Sequence, residues 1–564
     1  MINVMENMRQ IVRNTVEQAI LKAVAKGDIP EVDFPEVLIE IPREKNHGDF
    51  STNIAMQITK LLRMPPAKAA SIIIENMELN GTYIEKVEKA GPGFINFYLN
   101  NQWLYYTLKV IQKEKNNYGR NDIGKGQKVM VEFVSANPTG PLHMGNARGG
   151  ALGDCIASVL EAAGYDVTRE FYINDAGNQI EKFGISLEAR YIQLLNGEDA
   201  IEFPEDGYHG EDITEHARNY IENYGSGLLE AECAERRGKL IEYALNKNIE
   251  NIKKVLENYG IKYDVWFPEK SLYESGELDE TLNILKQKGL TEERDGAVWL
   301  KVSQLGAEKD EVLVRNNGFP TYFASDIAYH RSKFLKRGFD RVINLWGADH
   351  HGHVGRMKAS VKAFGIDSDK LDVVIFQLVR LYRNGEIARM SKRTGKAISL
   401  ADLLEEVGKD AARFFFNMKA SGSHLDFDLD LAVSQSNENP VYYVQYAYAR
   451  ICSMLRLLES EGVNVPDVDQ VDLALLKEQE EIDLIKKLVE YPEEIKVSAQ
   501  TLEPSRLTRY VIDTASSFHS FYNACRVKGE EDELMKARLV LVECVRIVIK
   551  NVLDLLKINT PERM

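Results

Sequence analysis

Residues 129–154 place the strongest constraint on how this chain can fold. The apolar, β-branched run 129–134 is typical of a buried strand. A loop rich in glycine and proline follows at 135–142, and a helix of small residues begins near His143. Strand, loop and helix start in this order form an anion site, because free N–H groups and the helix dipole both point at the ligand. The segment therefore predicts an α/β domain with a phosphate-binding loop after its first strand.

Three residues at the helix start are candidate contacts for such an anion. His143 and Asn146 would offer donors on the first helical turn, and Gly145 would let a ligand approach the backbone closely. The simpler alternative is a tight strand–helix connection, because the motif His-x-Gly-Asn is short. A second stretch favours the functional interpretation: residues 389–396, Arg-Met-Ser-Lys-Arg-Thr-Gly-Lys, form a polar, cationic loop far downstream.

Together the two stretches resemble the paired signature of class I aminoacyl-tRNA synthetases. The string SANPTGPLHMGNARG (135–149) is similar to the arginyl-tRNA synthetase family, and the resemblance runs through Asp-Ala-Ala-Arg-Phe (410–414) to the terminal Pro-Glu-Arg-Met. It implies an α/β fold class: a class I Rossmann-type catalytic domain with an insertion, an N-terminal α+β domain and a C-terminal all-α helical bundle.

The order of sequence patterns predicts where these domains lie. Residues 1–118 form an α+β module with a helix at 5–25 and a strand at 36–41. Residues 119–430 form the catalytic domain, with an acidic, mostly helical insertion at about 190–300. Residues 431–564 are helical, with helices near 439–460, 471–492, 503–525 and 531–556.

Length and composition are consistent with this organisation. A chain of 564 residues is too long for one core. Its five cysteines are scattered, and no run reaches membrane-spanning length or forms a signal peptide. We therefore expect a protein in the cytoplasm with no membrane contact. These features leave the oligomeric state open, and we expect a monomer. The net charge of -16 argues against a bulk polyanion binder but allows local basic patches for RNA.

The resemblance implies a two-step reaction with ATP, L-arginine and the tRNA for arginine as substrates and Mg²⁺ on the phosphates. The residues at the matching ATP positions are Pro138, Gly140, His143, Gly145, Asn146, Met390, Ser391 and Lys392, of which His143, Asn146 and Lys392 are the candidate catalytic residues. The sequence departs from the general signature at Asn146, which replaces a histidine, and at Arg389 and Arg393. Lys392 is retained.

A guanidinium has five donors and no acceptor, so its pocket needs carboxylates. The residues that match the arginine contacts of the family are Glu132, Ser135, Asn137, Tyr322, Asp326 and His350. Tyr322 and Asp326 are four apart and would share one face of a helix. From the residues alone, an outward strand position for Glu132 and a solvated helix start for the other two are the alternatives.

The loop Asp349-His-His-Gly-His353 offers residue types that bind metals. No further Cys or His cluster completes a site, so we expect no protein-bound metal. The resemblance instead assigns the loop to the substrate pocket.

The resemblance also implies contacts with tRNA. Phe94 and Asn96 match positions that meet the D-loop, and Tyr448, Tyr522 and Met564 match positions that face the anticodon. Single-stranded bases bind by stacking on aromatic and apolar side chains. The alternative is that Tyr448 and Tyr522 pack in the core of the bundle.

Two other functions remain open at this stage. The first is a class I synthetase of the same subclass for another amino acid, such as cysteine, whose pocket would use zinc; the scattered cysteines argue against it. The second is a synthetase-like RNA-binding protein that has lost catalysis. Such a protein should lose phosphate contacts first, whereas His143, Gly145 and Lys392 are all present.

Overall fold

A computed structural model describes residues 3–42, 44–388, 390 and 398–564. In the N-terminal domain, an antiparallel sheet of order β1-β3-β2 packs against helices. Its elements are α1 (Val4–Lys26), β1 (Phe50–Thr52), α2 (Ile54–Gln57), α3 (Thr59–Leu62), α4 (Pro66–Glu75), β2 (Ile84–Ala90), β3 (Phe94–Leu99) and α5 (Gln102–Glu114). Helix α1 begins after Asn3, whose side chain accepts from the N–H of Glu6 at 3.0 Å, and ends at Gly27 with a left-handed φ of 79°.

The predicted helix at 5–25 is confirmed, and the predicted strand at 36–41 is wrong. That segment lies between Pro35 and Pro42, and its one strand-like contact is a single bridge from Glu40 to Ser51. Val37 and Ile39 are nevertheless buried. The apolar alternation therefore reflects burial of individual side chains and not sheet pairing.

The central domain contains all the remaining strands that the structure describes. Its elements are β4 (Lys128–Glu132), α6 (Met144–Ala162), β5 (Asp166–Ile173), α7 (Asn178–Asn196), α8 (Glu211–Tyr224), α9 (Cys233–Asn258), β6 (Val265–Pro268), α10 (Lys270–Glu274), α11 (Glu277–Gln287), β7 (Thr291–Arg294), β8 (Ala297–Leu300), β9 (Glu311–Val314), α12 (Tyr322–Arg331), β10 (Arg341–Gly347), α13 (His351–Lys362), β11 (Leu371–Phe376), β12 (Val379–Arg383), β13 (Glu386–Ile387), α14 (Leu400–Asn417), β14 (Leu425–Asp428) and α15 (Leu429–Val433).

Five of these strands form a parallel sheet of order β11-β10-β4-β5-β6. The chain moves outward from β4 through β5 to β6 and then returns to the other side of β4 with β10 and β11. Strand order thus reverses between β4 and β10, and ligands of open α/β sheets bind at the carboxyl ends of the strands at such a point. This sheet, with the α+β and all-helical domains around it, confirms the predicted fold class.

Helix α6 packs closely on this sheet because it is built of small residues. A Cβ added at Gly153 would lie 2.3 Å from Cγ of Phe133, so only glycine fits there. From Ala147 to Leu160 every residue of the helix is buried. This contact fixes the start of α6 at the carboxyl end of β4.

The region predicted as an insertion at about 190–300 includes β6, a strand of the central sheet. Its helical part, α7–α9, encloses a small core of its own that includes Phe183, Tyr191 and Leu240. Strands β7–β9 form a separate antiparallel sheet between β6 and β10. The central sheet is therefore interrupted twice along the sequence, by helices α7–α9 before β6 and by strands β7–β9 after it.

The C-terminal domain is a bundle of α16 (Pro440–Ser460), α17 (Gln479–Thr501), α18 (Ser505–Ala524) and α19 (Asp532–Leu555). Three of these helices lie close to their predicted positions. Helix α17 begins later than predicted and continues through Pro492, which lies inside the helix and is buried. Packing within the bundle therefore outweighs the local preference of proline for a helix end. In the described ranges, no helix is both long and apolar enough to cross a membrane.

One buried guanidinium joins the bundle to the central domain. Arg413 on α14 donates to the carbonyl of Leu556 at 2.7 Å, to that of Tyr259 at 3.1 Å and to Oδ2 of Asp154 at 2.6 Å. The ends of α19 and α9 are thereby fixed to α6.

Candidate functional site

A cleft of about 940 Å³ opens at the carboxyl ends of β4, β5 and β10, at the reversal of strand order. It gathers ten of the predicted site residues: Glu132, Ser135, Asn137, Gly140, His143, Gly145, Asn146, Tyr322, Asp326 and His350. These residues lie on three separate segments of the chain, at 132–146, 322–326 and 350. The fold thus brings the predicted phosphate-binding and arginine-binding groups into one cavity.

The chain leaves β4 in a strained conformation. Val134 and Ser135 have left-handed φ values of 70° and 39°. Such a value is unusual for any residue other than glycine, and most of all for the β-branched Val134. The Ser135 hydroxyl donates to Oε1 of Glu132 at 2.9 Å and accepts from the N–H of Tyr172 at 3.2 Å. These bonds hold the sharp turn that aims the following loop across the cleft.

His143 and Asn146 occupy the start of α6. The Oδ1 of Asn146 accepts from the backbone N–H of His143 at 3.1 Å, so its amide N–H₂ group is left for a ligand. The His143 side chain is exposed. Both side chains are therefore available to the cleft.

The same helix start is bonded to the segment that follows the cationic loop. The N–H of Met144 donates to the carbonyl of Ile398 at 3.3 Å, and that of Leu400 donates to Leu142 at 2.9 Å. Ser391 and Lys392, with Arg389 and Arg393, lie outside the described residues. Met390 is described and is 62% exposed. Residues 398–400, which follow the cationic loop in sequence, are thus fixed beside His143.

Asn137 is oriented by two amides. Its Nδ2 donates to Oε1 of Gln179, and its Oδ1 accepts from Nδ2 of Asn174 at 2.8 Å. The neighbouring Pro138 does not line the cleft; its carbonyl accepts from Nδ2 of Asn248 at 2.8 Å on the opposite side of the loop.

Tyr322 and Asp326 lie on the first two turns of α12, as their spacing predicts. Oδ2 of Asp326 lies 3.1 Å from Nε2 of His353, whose Nδ1 accepts from Nε of Arg356 at 2.5 Å. Because Nδ1 accepts, Nε2 carries the proton of the neutral ring and donates to Asp326. The carboxylate is therefore held in place while its charge remains uncompensated by His353.

Glu132 is already paired. Its Oε2 accepts from Nζ of Lys333 at 2.5 Å, and the same ammonium donates to Oδ1 of Asn344 at 3.0 Å. Nδ2 of Asn344 bonds in turn to Nε2 of His330 at 2.7 Å, and burial lowers the pKa of this histidine well below its usual value. The predicted arginine contact at Glu132 is thus a buried ion pair, in which Lys333 neutralises the carboxylate.

Glu269 is a cleft residue that sequence reasoning missed. It follows β6, is 1% exposed, and its Oε2 has no hydrogen-bond partner among the described residues. Burial raises its pKa to about 7, and the charges of Asp326 and Asp175 act in the same direction. A buried carboxylate with an unbonded oxygen at a strand end is a candidate for binding a cation. In the sequence, Glu269 directly follows the apolar run 265–268, and this position could have identified it as a residue at a strand end. The sequence pattern instead placed the whole region in the insertion.

His350 lies at the rim of the cleft, with Nε2 3.4 Å from Oδ2 of Asp349. Among the residues that the structure describes, no group of three or more His, Cys, Asp or Glu side chains is placed to hold a metal ion.

Comparison with known proteins identifies the family of this chain. The model described as "tRNA synthetases class I (R), catalytic domain" matches residues 107–422. "Arginyl tRNA synthetase N terminal domain" matches 10–99, and "DALR anticodon binding domain" matches 444–564. A curated protein of Acetivibrio thermocellus named Arginine--tRNA ligase is 74% identical over 564 residues, with all of both chains covered. The chain belongs to the arginyl-tRNA synthetase family.

Two further comparisons agree with this membership. The Arginine--tRNA ligase of Ruminiclostridium cellulolyticum is 68% identical over 562 residues, covering 100% of both chains. The solved arginyl-tRNA synthetase of Thermus thermophilus is 22% identical and shows the same fold, with a TM-score of 0.73 over 99% of this chain and 100% of that one.

The residues predicted to contact tRNA in this synthetase fold differ in exposure. Phe94 and Met564 are 37% and 53% exposed. Asn96 and Tyr448 are buried, because Asn96 lies on the central strand of its sheet and Tyr448 packs inside the bundle. Tyr522 is half-buried, with the guanidinium carbon of Arg450 4.3 Å from its ring centre. The burial of Asn96 and Tyr448 argues against direct base contacts and favours the core-packing alternative for Tyr448.

Proposed function

We propose that this chain joins L-arginine to its cognate tRNA through an arginyl-adenylate, releasing AMP and pyrophosphate. The full-length likeness to proteins named Arginine--tRNA ligase supports the reaction class. The observation that carries the choice of amino acid is the pair of carboxylates, Asp326 and Glu269, that line one cleft without a cationic partner among the described residues. This favours arginine over a small neutral amino acid such as cysteine.

The guanidinium of arginine would lie between Asp326 and Glu269. Its five donors require acceptors, and these two carboxylates supply them together with the Tyr322 hydroxyl. Glu132 would help to orient the arginine without adding net negative charge, because Lys333 neutralises its carboxylate. Ser135, Asn137 and His350 line the remainder of the same cleft and would face the α-amino and carboxylate end.

ATP would lie along the loop and the start of α6, at Gly140, His143, Gly145, Asn146, Met390, Ser391 and Lys392; Pro138, which faces away from the cleft, would act only through the direction of its peptide group. The arginine carboxylate oxygen attacks the α-phosphorus, and the bond to the β-phosphate oxygen breaks as pyrophosphate leaves. No protein nucleophile takes part, so His143, Asn146 and Lys392 act by orienting the phosphates and compensating their charge. Mg²⁺ enters with ATP as part of the substrate.

In the second step, a hydroxyl of the terminal tRNA ribose attacks the carbonyl carbon of the adenylate, and AMP leaves. Phe94, Tyr522 and Met564 are exposed enough to meet tRNA. We further propose that the protein works as a monomer in the cytoplasm, in line with the expectation from its sequence.

The deciding experiment is charging of purified tRNA with each radiolabelled amino acid in turn. Only arginine should be transferred. A second arm uses Asp326→Asn, which should weaken arginine binding far more than ATP binding in calorimetry, since it keeps size and removes the charge. Transfer of cysteine would support the other synthetase, and tRNA binding without any transfer would support a protein that has lost catalysis.

A further inference from the structure

The loop that carries Pro138 forms a wall between two cavities. On one side lies the cleft, and on the other lies a cavity of about 290 Å³ against helices α8 and α9. Gly140 and Pro141 line both of them. The two faces of this short loop therefore meet different surroundings.

Asn248 on α9 contacts the loop from the side of the second cavity. Its Nδ2 donates to the Pro138 carbonyl at 2.8 Å, and its Oδ1 lies 2.9 Å from Nε2 of His216 on α8; both contacts are buried. Because a carbonyl oxygen can only accept, the amide has one possible orientation, and His216 must carry a proton on Nε2. The two helices thus hold one carbonyl of the loop in a defined direction.

The direction of this carbonyl determines the direction of the next N–H. In a planar trans peptide the C=O and N–H groups point opposite ways, and the Pro138–Thr139 peptide is trans. The carbonyl points to Asn248, so the Thr139 N–H points to the other side of the loop, where Thr139 lines the cleft. Among the described residues, this N–H has no hydrogen-bond acceptor.

We propose that Asn248 is a positioning residue of the ATP site, which holds the Pro138–Thr139 peptide so that the Thr139 N–H faces the ATP phosphates. This inference rests on the proposed function. A backbone N–H bonded to a phosphate oxygen is a charge-assisted contact. If the peptide rotated by half a turn, the Pro138 carbonyl would face the phosphates instead. The peptide dipole would then repel the negative phosphates, whereas in the observed orientation its N–H end attracts them. Asn248, held by His216, prevents this rotation from outside the cleft.

Two substitutions test the proposal against a matched control. Asn248→Asp removes the donor and places a negative charge beside the carbonyl, and Asn248→Ala removes the contact alone. Asn251→Asp is the control, because Asn251 lies one turn further on α9, is exposed and lines the same cavity. Both Asn248 variants should lose about ten-fold or more in ATP affinity and in kcat/KM for ATP, as expected for one charge-assisted hydrogen bond. The control should match the unaltered protein.

Arginine affinity, measured by calorimetry, separates positioning from a structural role. It should be unchanged in both Asn248 variants, because the arginine groups lie on other elements. ATP affinity equal to the control in either folded variant overturns the proposal. So does a parallel loss of ATP and arginine binding with a lowered melting temperature, which would mean that the amide only stabilises the fold. ATP binding is measured without amino acid or tRNA, so it can be compared among the variants whether or not the protein charges tRNA with arginine. Absence of arginine charging in the unaltered protein would overturn the proposed function but would not affect this comparison of ATP affinities.

Discussion

The ammonium of Lys333 lies 2.5 Å from Oε2 of Glu132 at the floor of the cleft, and the two side chains are 0% and 9% exposed. They are brought together by a π-helical turn after α12, at Ser332–Lys336, and by the end of β4. π-Helical turns are frequent at functional sites. The pair keeps a carboxylate in the wall of the cleft without adding a net negative charge there.

Lys333→Met should destabilise the protein strongly, because it leaves the Glu132 carboxylate buried without a partner. We expect the free energy of unfolding to fall by about 3–5 kcal/mol, measured by urea denaturation at neutral pH. The double variant Lys333→Met with Glu132→Gln should recover most of this loss, since no buried charge remains. A single variant as stable as the unaltered protein would show that the pair does not hold the floor of the cleft.

Arginine affinity should depend on pH through Glu269, whose pKa burial raises to about 7. A cation binds the ionised carboxylate, so binding below this pKa first requires loss of a proton. Affinity should therefore rise as pH increases from 6 to 8 and level off above the pKa, with close to ten-fold per pH unit at the acid end. Calorimetry over this range measures it. Glu269→Gln should bind arginine more weakly and with a flat profile; an unchanged slope in that variant would assign the titration to another group.

His143→Ala should lower kcat/KM for ATP by about ten-fold or more, since it removes one contact to the phosphates. Its side chain is exposed, so the melting temperature should hold. Lys392→Ala should have a similar effect, as the sequence predicts. The control is His351→Ala, an exposed histidine near the cleft that is not among its lining residues. A loss in the control equal to that of His143→Ala would remove the case for a specific phosphate contact.

Tyr448 and Tyr522 should behave differently when each is changed to alanine. Tyr448 is 2% exposed, and its hydroxyl accepts from Arg546 at 3.4 Å, so its loss should lower stability by about 3–5 kcal/mol. Tyr522 has a ring face against Arg450 and partial exposure, so its loss should raise the tRNA Michaelis constant by about ten-fold with little change in melting temperature. Thermal melts and charging kinetics of the two variants measure both effects. The reverse pattern would place Tyr448, and not Tyr522, against the anticodon.

The sequence alone determined the elements whose signal is local. The β-branched run before a Gly/Pro loop and a small-residue helix predicted β4 and α6, and periodic apolar positions predicted α1 and most of the C-terminal bundle. Motif positions also predicted ten of the residues that line the cleft. These features depend on residues that are close together along the chain, so the sequence predicts them without knowledge of the tertiary structure.

Tertiary structure decided the partners of these residues. Glu132 pairs with Lys333 across 201 positions, and Asn248 holds Pro138 across 110. The pKa of Glu269 is raised because folding removes the carboxyl group from water and places it near Asp326 and Asp175, and Pro492 remains in a helix because the bundle packs around it. The periodicity of apolar residues predicts which side of a helix or strand is buried, but it does not predict which residues that side contacts. Charge compensation, desolvation and the direction of a single peptide group depend on those distant contacts, and only the folded chain specifies them.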